Sequence, residues 1–347
     1  MGMKYRMYAK SVLGPKYSVK GWKCQDSSGK EKFKHAQAIA VADGHGSSDC
    51  FRSELGSGIA IKVAFEQTKS YCQDEDVCEE TDIPIIFSET GIGNFKYAIW
   101  SEWRRLVKED WDERLLAHKT LGEGEVRFES VSKKYKERYT SKNEEDIERY
   151  LYAAYGTTLL LAVAIESQLL LLQIGDGTCV VLQRDGEYRI PLPPEEENFL
   201  NVTVSLCDEN ANLKIRHAVL DCDVNSPTAP VAVFLSSDGV DDCYPMFRNE
   251  QHLYRLCSVI LENILEAGYE ATEDEITEHL LPGMTAKGSQ DDISLAYFVS
   301  EETKLLREAY ENIGSKFKPP ARAVENEELD GIQEDTAAQG AAEKAEC

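Results

Sequence analysis

The sequence lacks any long apolar run. Its richest stretch, Leu151 to Ile174, is interrupted by Gly156, Thr157, Thr158, Glu166, Ser167 and Gln168. A membrane-spanning helix needs about 20 mostly apolar residues in a row, so none is expected. No apolar block follows Met1-Gly2-Met3-Lys4-Tyr5-Arg6, which speaks against a secretory signal. Gly2 alone suggests myristoylation, but Arg6 stands where Ser or Thr is wanted. Positive charge is scarce: 38 Lys and Arg face 62 Asp and Glu, a formal charge of −24. That balance disfavours a nucleic-acid binder, which presents a basic stripe to phosphates. It equally disfavours docking on an anionic membrane leaflet. The ten cysteines include no Cys-x-x-Cys pair, so a zinc ribbon or thioredoxin-like site has no support. The expectation is a cytoplasmic protein with reduced, mostly buried thiols.

What is present supports a folded core. At 347 residues the chain has room for one large domain or two small ones, and 42% of it is hydrophobic. Short apolar runs read as strands: Gln37 to Ala42, Thr157 to Ile165, Leu169 to Ile174, Cys179 to Gln183, Val231 to Leu235 and Asp292 to Val299. The turns Gly175-Asp176-Gly177-Thr178 and Arg184-Asp185-Gly186-Glu187 join runs at hairpin distance, which favours antiparallel pairing. Helical spacing appears at Leu55, Ile59 and Val63, and at Leu253, Leu256, Ile260 and Ile264. It also appears at Trp100, Trp103, Leu106 and Trp111 within Phe95 to His118, an aromatic stripe that reads as core. Thr272-Glu273-Asp274-Glu275 looks like a capping box ahead of Ile276, Leu280 and Leu281, and Glu301 to Ile313 is helix-like. The fold class is therefore α+β, antiparallel strands at the centre with helix pairs outside.

One folded domain is expected over 1–318, carrying a charged and weakly periodic insertion at about 119–149 that reads as a solvated excursion. From 319 to 347 the chain is expected to be a disordered acidic tail: Glu325 to Cys347 holds eight acids against Lys344.

The placement of certain aspartates carries more than their number. Asp43, Asp238 and Asp291 each border a buried-looking strand, with glycine close by. A carboxylate there is costly unless paired with a cation, and several meeting at one edge repel one another unless a divalent ion intervenes. All-oxygen ligation suits Mg²⁺ or Mn²⁺ rather than zinc. Two such ions are a common device for hydrolysing phosphate esters. His45, two residues after Asp43, is placed to give a proton to a leaving alkoxide. A single Asp-Gly is usually only a turn, and Asp176 between two glycines reads equally well as one; the ordered set is what has meaning.

That set resembles the metal-dependent Ser/Thr phosphatases of the protein phosphatase 2C family, in the bacterial-type variant. The resemblance runs through Cys24-Gln25-Asp26, Val41-Ala42-Asp43-Gly44-His45-Gly46, Gly156-Thr157-Thr158, Gly175-Asp176-Gly177, Ser237-Asp238-Gly239-Val240 and Gln290-Asp291-Asp292-Ile293-Ser294. It implies a four-layer α-β-β-α sandwich of two stacked antiparallel sheets. It implies that Asp43 bridges two Mg²⁺ or Mn²⁺ ions around an attacking water or hydroxide. Gly44 would lend its carbonyl, Asp238 and Asp291 would complete the second site, and Asp26 would stand at the cluster. His45 would match the family's general acid. Its partners would be phosphorylated protein substrates, and the acidic surface suits a basic segment of a cognate Ser/Thr kinase.

Two positions depart from the pattern. Gly21 stands where many members place a phosphate-holding Arg, leaving Lys20 or Lys23 as substitutes without the bidentate fork. Ala153 stands where many members have an Asp of a third metal site, so a third ion is not expected. These departures keep open a catalytically weak module that binds phosphoproteins or a regulatory partner. A phosphatase for small phosphate esters would share the chemistry.

Overall fold

The computed structural model describes residues 2–73, 85–117, 127–139, 150–193, 203–246 and 249–319. Its strands, in chain order, are β1 (Tyr5–Val12), β2 (Ser27–Lys32), β3 (Ala36–Ala42), β4 (Leu159–Ile165), β5 (Gln168–Ile174), β6 (Thr178–Gln183), β7 (Tyr188–Arg189), β8 (Arg216–Asp221), β9 (Pro230–Ser236) and β10 (Ile293–Ser300). They form two antiparallel five-stranded sheets, ordered β1-β10-β9-β6-β7 and β2-β3-β4-β5-β8. The α+β class and the two-sheet architecture follow directly.

Central strands are apolar on both faces because each face is covered. Along β3, Ile39 and Val41 join the core between the sheets, with Tyr5, Leu160, Leu171 and Val233. Ala36, Ala38, Ala40 and Ala42 alternate to the opposite face, as strand periodicity requires. Their small side chains let the helix Ser53–Gln73 lie close, through Ala60 and Ala64, backed by the helix Glu89–Ala117. The helices Asn249–Ala267 and Thr303–Asn312 cover the other sheet with Leu253, Ile260 and Leu306. Trp103 and Trp111 are fully buried, so those two belong to the core, while Trp100 is half-buried under the guanidinium of Arg104 at 5.2 Å.

Three expectations need correction. Gly175-Asp176-Gly177 is not a hairpin turn: β5 pairs with β4 and β8, whereas β6 pairs with β7 and β9. The tripeptide carries the chain from one sheet to the other, with Gly175 at φ +104°. The Arg184–Glu187 turn does close a hairpin, β6–β7. Thr272 caps no helix. It lies inside the helix Tyr269–Glu275, whose first turn begins after Gly268, and its hydroxyl donates to the Gly268 carbonyl at 2.8 Å. The described part of the insertion, 127–139, is anchored in the core on one side, while Glu129, Lys133 and Glu137 stay exposed. Phe128, Val131 and Tyr139 are buried, and Phe128 and Tyr139 both meet Phe51 edge-on. Segments 118–126 and 140–149, and the acidic tail beyond Pro319, lie outside the described residues. Among the described residues no helix is long and apolar enough to cross a membrane.

Candidate active site

Strand pairing puts the aspartates at one end of both sheets. The β2–β3 ladder closes on Ser27 opposite Ala42, so Asp26 and Asp43 face each other one step beyond. In the other sheet Ser236 ends β9 opposite Leu295 of β10. Asp238 therefore follows β9 where Asp291 precedes β10. The Ser237 amide donates to the Ser294 carbonyl at 3.1 Å, and the Ser294 amide donates to the Ser237 hydroxyl at 2.9 Å. Asp43, Asp238 and Asp291 line one cavity of about 370 Å³ with His45, Lys16, Tyr17 and Asp176. Asp26 lies beneath, only 6% exposed.

The Gly156-Thr157-Thr158 motif fixes the backbone at Asp43. The Thr158 amide donates to the Asp43 carbonyl at 2.8 Å, and the Thr157 hydroxyl reaches the same oxygen at 2.9 Å. The Asp43 amide donates to the Thr158 hydroxyl at 3.0 Å. Two residues on, the His45 amide donates to the Gly156 carbonyl at 3.0 Å. Gly44 must be glycine because a Cβ there would sit 2.4 Å from the Gln25 carbonyl oxygen. A Cβ on Gly156 would meet the His45 ring at 2.4 Å.

Electrostatics make the cluster unstable by itself. Burial, then the neighbouring Asp292 and Asp238 charges, push the Asp26 carboxyl up to about 8, although Ser237 and Ser294 beside it offset part of the rise. Burial and the charges of Asp26, Asp238 and Asp176 push Asp43 well above the usual carboxylate range. Burial raises Asp238 as well, and its hydrogen bond with Asp43 works against that rise. One oxygen of Asp26, Oδ2, is buried without a hydrogen-bond partner. The Asp291 carboxylate is tied to the Lys16 ammonium at 2.9 Å. Asp292 acts on the backbone instead. Its two oxygens accept the Gly14 and Gln25 amides, both at 2.7 Å, and so fasten β1's exit and the Asp26 segment to β10.

Among the described residues no three His, Cys, Asp or Glu side chains already form a closed metal-ligand set. Lys16 holds Asp291, while Asp43 and Asp238 share a hydrogen bond. The donors nonetheless fit hard divalent cations. They are carboxylates, mutually repulsive, with an orphaned buried oxygen on Asp26.

Burial holds the His45 imidazole below its usual pKa, with Asp176 and Asp208 working against the shift. The ring is thus mainly neutral at pH 7. Lys20 and Lys23 do not line the cavity, whereas Lys16 does. Lys20 instead lies over the Trp22 ring at 4.5 Å. Gly21 is exposed at φ +67° with nothing within 4 Å, and Ala153 is half-buried.

Two contributors escape sequence reasoning. Asp176 lines the cavity and accepts a hydrogen bond from the Thr203 hydroxyl at 2.6 Å; its signal was the Gly-Asp-Gly motif itself. Arg127, from the charged insertion, is buried behind the cavity loop. It donates to the Ser53 hydroxyl at 2.8 Å and the Ser47 carbonyl at 3.1 Å, and covers the Trp22 ring at 4.6 Å. Nothing in an arginine inside a charged run announces that role.

Two antiparallel sheets with aspartates gathered at one end form the frame of the site. The family model for protein phosphatase 2C matches residues 13–280, and the chain belongs to that family. Among solved structures, the chain is similar to PppA, a key regulatory component of T6SS in Pseudomonas aeruginosa. Identity there is 16%, coverage 86% of this chain and 99% of that one, and the TM-score 0.50. It is similar also to a C. elegans sex determining protein, at 14% identity, 89% and 68% coverage and a TM-score of 0.51. At such identities these two share the fold. No curated protein sequence matches the chain.

Proposed function

We propose that this protein is a Mg²⁺- or Mn²⁺-dependent protein serine/threonine phosphatase that uses two ions. The supporting observation is the convergence of Asp43, Asp238 and Asp291, from strand ends of both sheets, on one cavity, with Asp26 buried beside Asp238 and carrying an unpaired oxygen. Those four carboxylates, with the Gly44 carbonyl, would hold the cations. Bound there, the cations would offset phosphoryl charge and activate a water near neutral pH.

The chain's own residues do the rest. Lys16, paired with Asp291, brings a positive charge to the cavity wall, where it would meet the phosphate. A lysine gives a point charge, which holds the phosphate without fixing its rotation. The Thr157-Thr158 clamp keeps Asp43, and the Gly156 carbonyl keeps the His45 backbone, from drifting as the substrate enters. The phosphate dianion raises the neighbouring imidazole, so His45 gains a proton at Nδ1 or Nε2 and can deliver it to the departing serine or threonine oxygen. The substrates are phosphorylated proteins, including a cognate kinase whose basic segments suit an acidic surface.

The test is hydrolysis of a phosphothreonine peptide in EDTA, then with added Mn²⁺. Activity is expected only with the metal, and Asp238→Asn is expected to lose more than 100-fold, roughly the scale of removing one preorganised charge-stabilising group. Turnover indifferent to chelation sinks the reading.

A further inference from the structure

A second cavity opens behind the first. Its volume is about 340 Å³, and Asp176 forms part of the wall of both. Its sides are apolar: Ile190, Leu192, Leu253 and Met246, the last 96% exposed at the mouth. Its polar groups are of one kind. Gln173, 2% exposed, has Oε1 buried without a partner, while its Nε2 is spent on the Gly175 and Gly177 carbonyls. Asn249 repeats the arrangement. Its Nδ2 donates to the Asp241 carbonyl at 2.9 Å and its Oδ1 is buried without a partner. Asp241 adds a carboxylate, one oxygen of which accepts the Thr178 hydroxyl at 2.9 Å. Asp176 and Glu250 add further negative charge against Arg216, whose Nη1 is engaged by the Leu192 and Pro193 carbonyls.

Two orphaned amide oxygens in a native interior each carry an uncompensated desolvation cost. A ligand bearing N–H donors removes it. The ligand must also present an apolar stem to Ile190, Leu192 and Leu253. An alkylammonium meets both demands: three donors, no acceptor, on a four-carbon chain. Arginine's flat five-donor fork matches paired carboxylates better than separate amide oxygens.

We propose that this second cavity is a subsite for a lysine side chain flanking the phosphorylated residue of the protein substrate. The inference rests on the phosphatase reading, because the shared Asp176 wall sets the subsite beside the cavity the phosphate would enter. An extended chain advances about 3.3–3.6 Å per residue, so a lysine flanking the phosphorylated residue can reach it. The net acidity of the chain, −24, adds long-range attraction for such peptides.

The test uses non-hydrolysable phosphonate peptides in Mn²⁺, identical except for lysine, norleucine or glutamate at each position from −2 to +2. Binding is read by fluorescence anisotropy. At one position lysine is expected to bind about tenfold more tightly than norleucine, the scale of a charge-assisted hydrogen bond. Glu250→Arg, an exposed substitution, and Asn249→Leu are each expected to bring that ratio to within twofold. Equal binding of the lysine and norleucine peptides at every position overturns the subsite. So does a preference that survives both variants. Turnover of an aryl phosphate by the unmodified protein is measured separately. It has no flanking residue, so its failure overturns the phosphatase reading and leaves the binding result standing.

Discussion

The Asp26 carboxyl gives the sharpest test of the buried cluster. Its pKa stands at about 8 in the folded protein and near 3.9 in an unfolded chain. The folded state therefore binds a proton that the unfolded state has already lost, between about pH 4 and pH 8. Stability contributed by that proton is fully present below pH 4 and falls as pH rises through that window. Each unit costs about 1.4 kcal/mol, so going from pH 5.5 to 7.5 removes up to about 3 kcal/mol. For a domain of this size that is a fall of roughly 4–5 °C in melting temperature. The experiment is thermal unfolding in EDTA at both pH values, for the unmodified protein and for Asp26→Asn. The neutral amide cannot titrate, so the variant should show a shallower pH slope, the raised Asp43 and Asp238 carboxyls keeping the rest. His45, whose pKa is lowered, contributes the opposite trend in both proteins and cancels in the comparison. Added Mn²⁺ should raise the melting temperature more at pH 7.5, where the carboxylates are free to ligate. Identical slopes for the two proteins, with no effect of the ion at either pH, would refute this account of the cluster.

Other outcomes follow from the same geometry. Gly156→Ala places a methyl 2.4 Å from the His45 ring and should lower kcat at least tenfold with little change in KM, checked by steady-state kinetics on a phosphopeptide. Thr158→Val leaves the Asp43 amide without its acceptor and should cost about 1–3 kcal/mol of stability in urea unfolding. Lys16→Ala should raise KM for a phosphopeptide several-fold, with a weaker dependence on salt than the unmodified protein shows. Arg127→Met keeps the aliphatic stem but removes the charge over Trp22 and the bonds to Ser53 and Ser47. Its melting temperature should fall by several degrees, because the buried Ser53 hydroxyl and the half-buried Glu54 carboxylate both lose their partner.

The interior of the fold was legible in the sequence and its margins were not. β3, β4, β5, β6, β9 and β10 are apolar on both faces and stand out as continuous runs. The four strands that did not stand out, β1, β2, β7 and β8, are the four edges of the two sheets. Edges face water, so Ser27–Lys32 reads as SSGKEK, a turn-like polar string. The strand-end aspartates were visible because Gly neighbours them, whereas the sheet crossing at Gly175–Gly177 was not. A hairpin and a crossover can share the same three residues, and only pairing partners distinguish them. Lys16 and Arg127 needed the fold, since each reaches the site through space from a chain segment with no pattern of its own.

The interleaved order of the sheets has one more effect. β1 and β10, the first and last strands in sequence, lie side by side, while β8 crosses to finish the sheet that β2 begins. No single cut of the chain can release either layer whole. Asp26 and Asp43 ride on one layer and Asp238 and Asp291 on the other. An ion gripped by both would work as a rivet, so its departure and any sliding of one layer across the other become a single event.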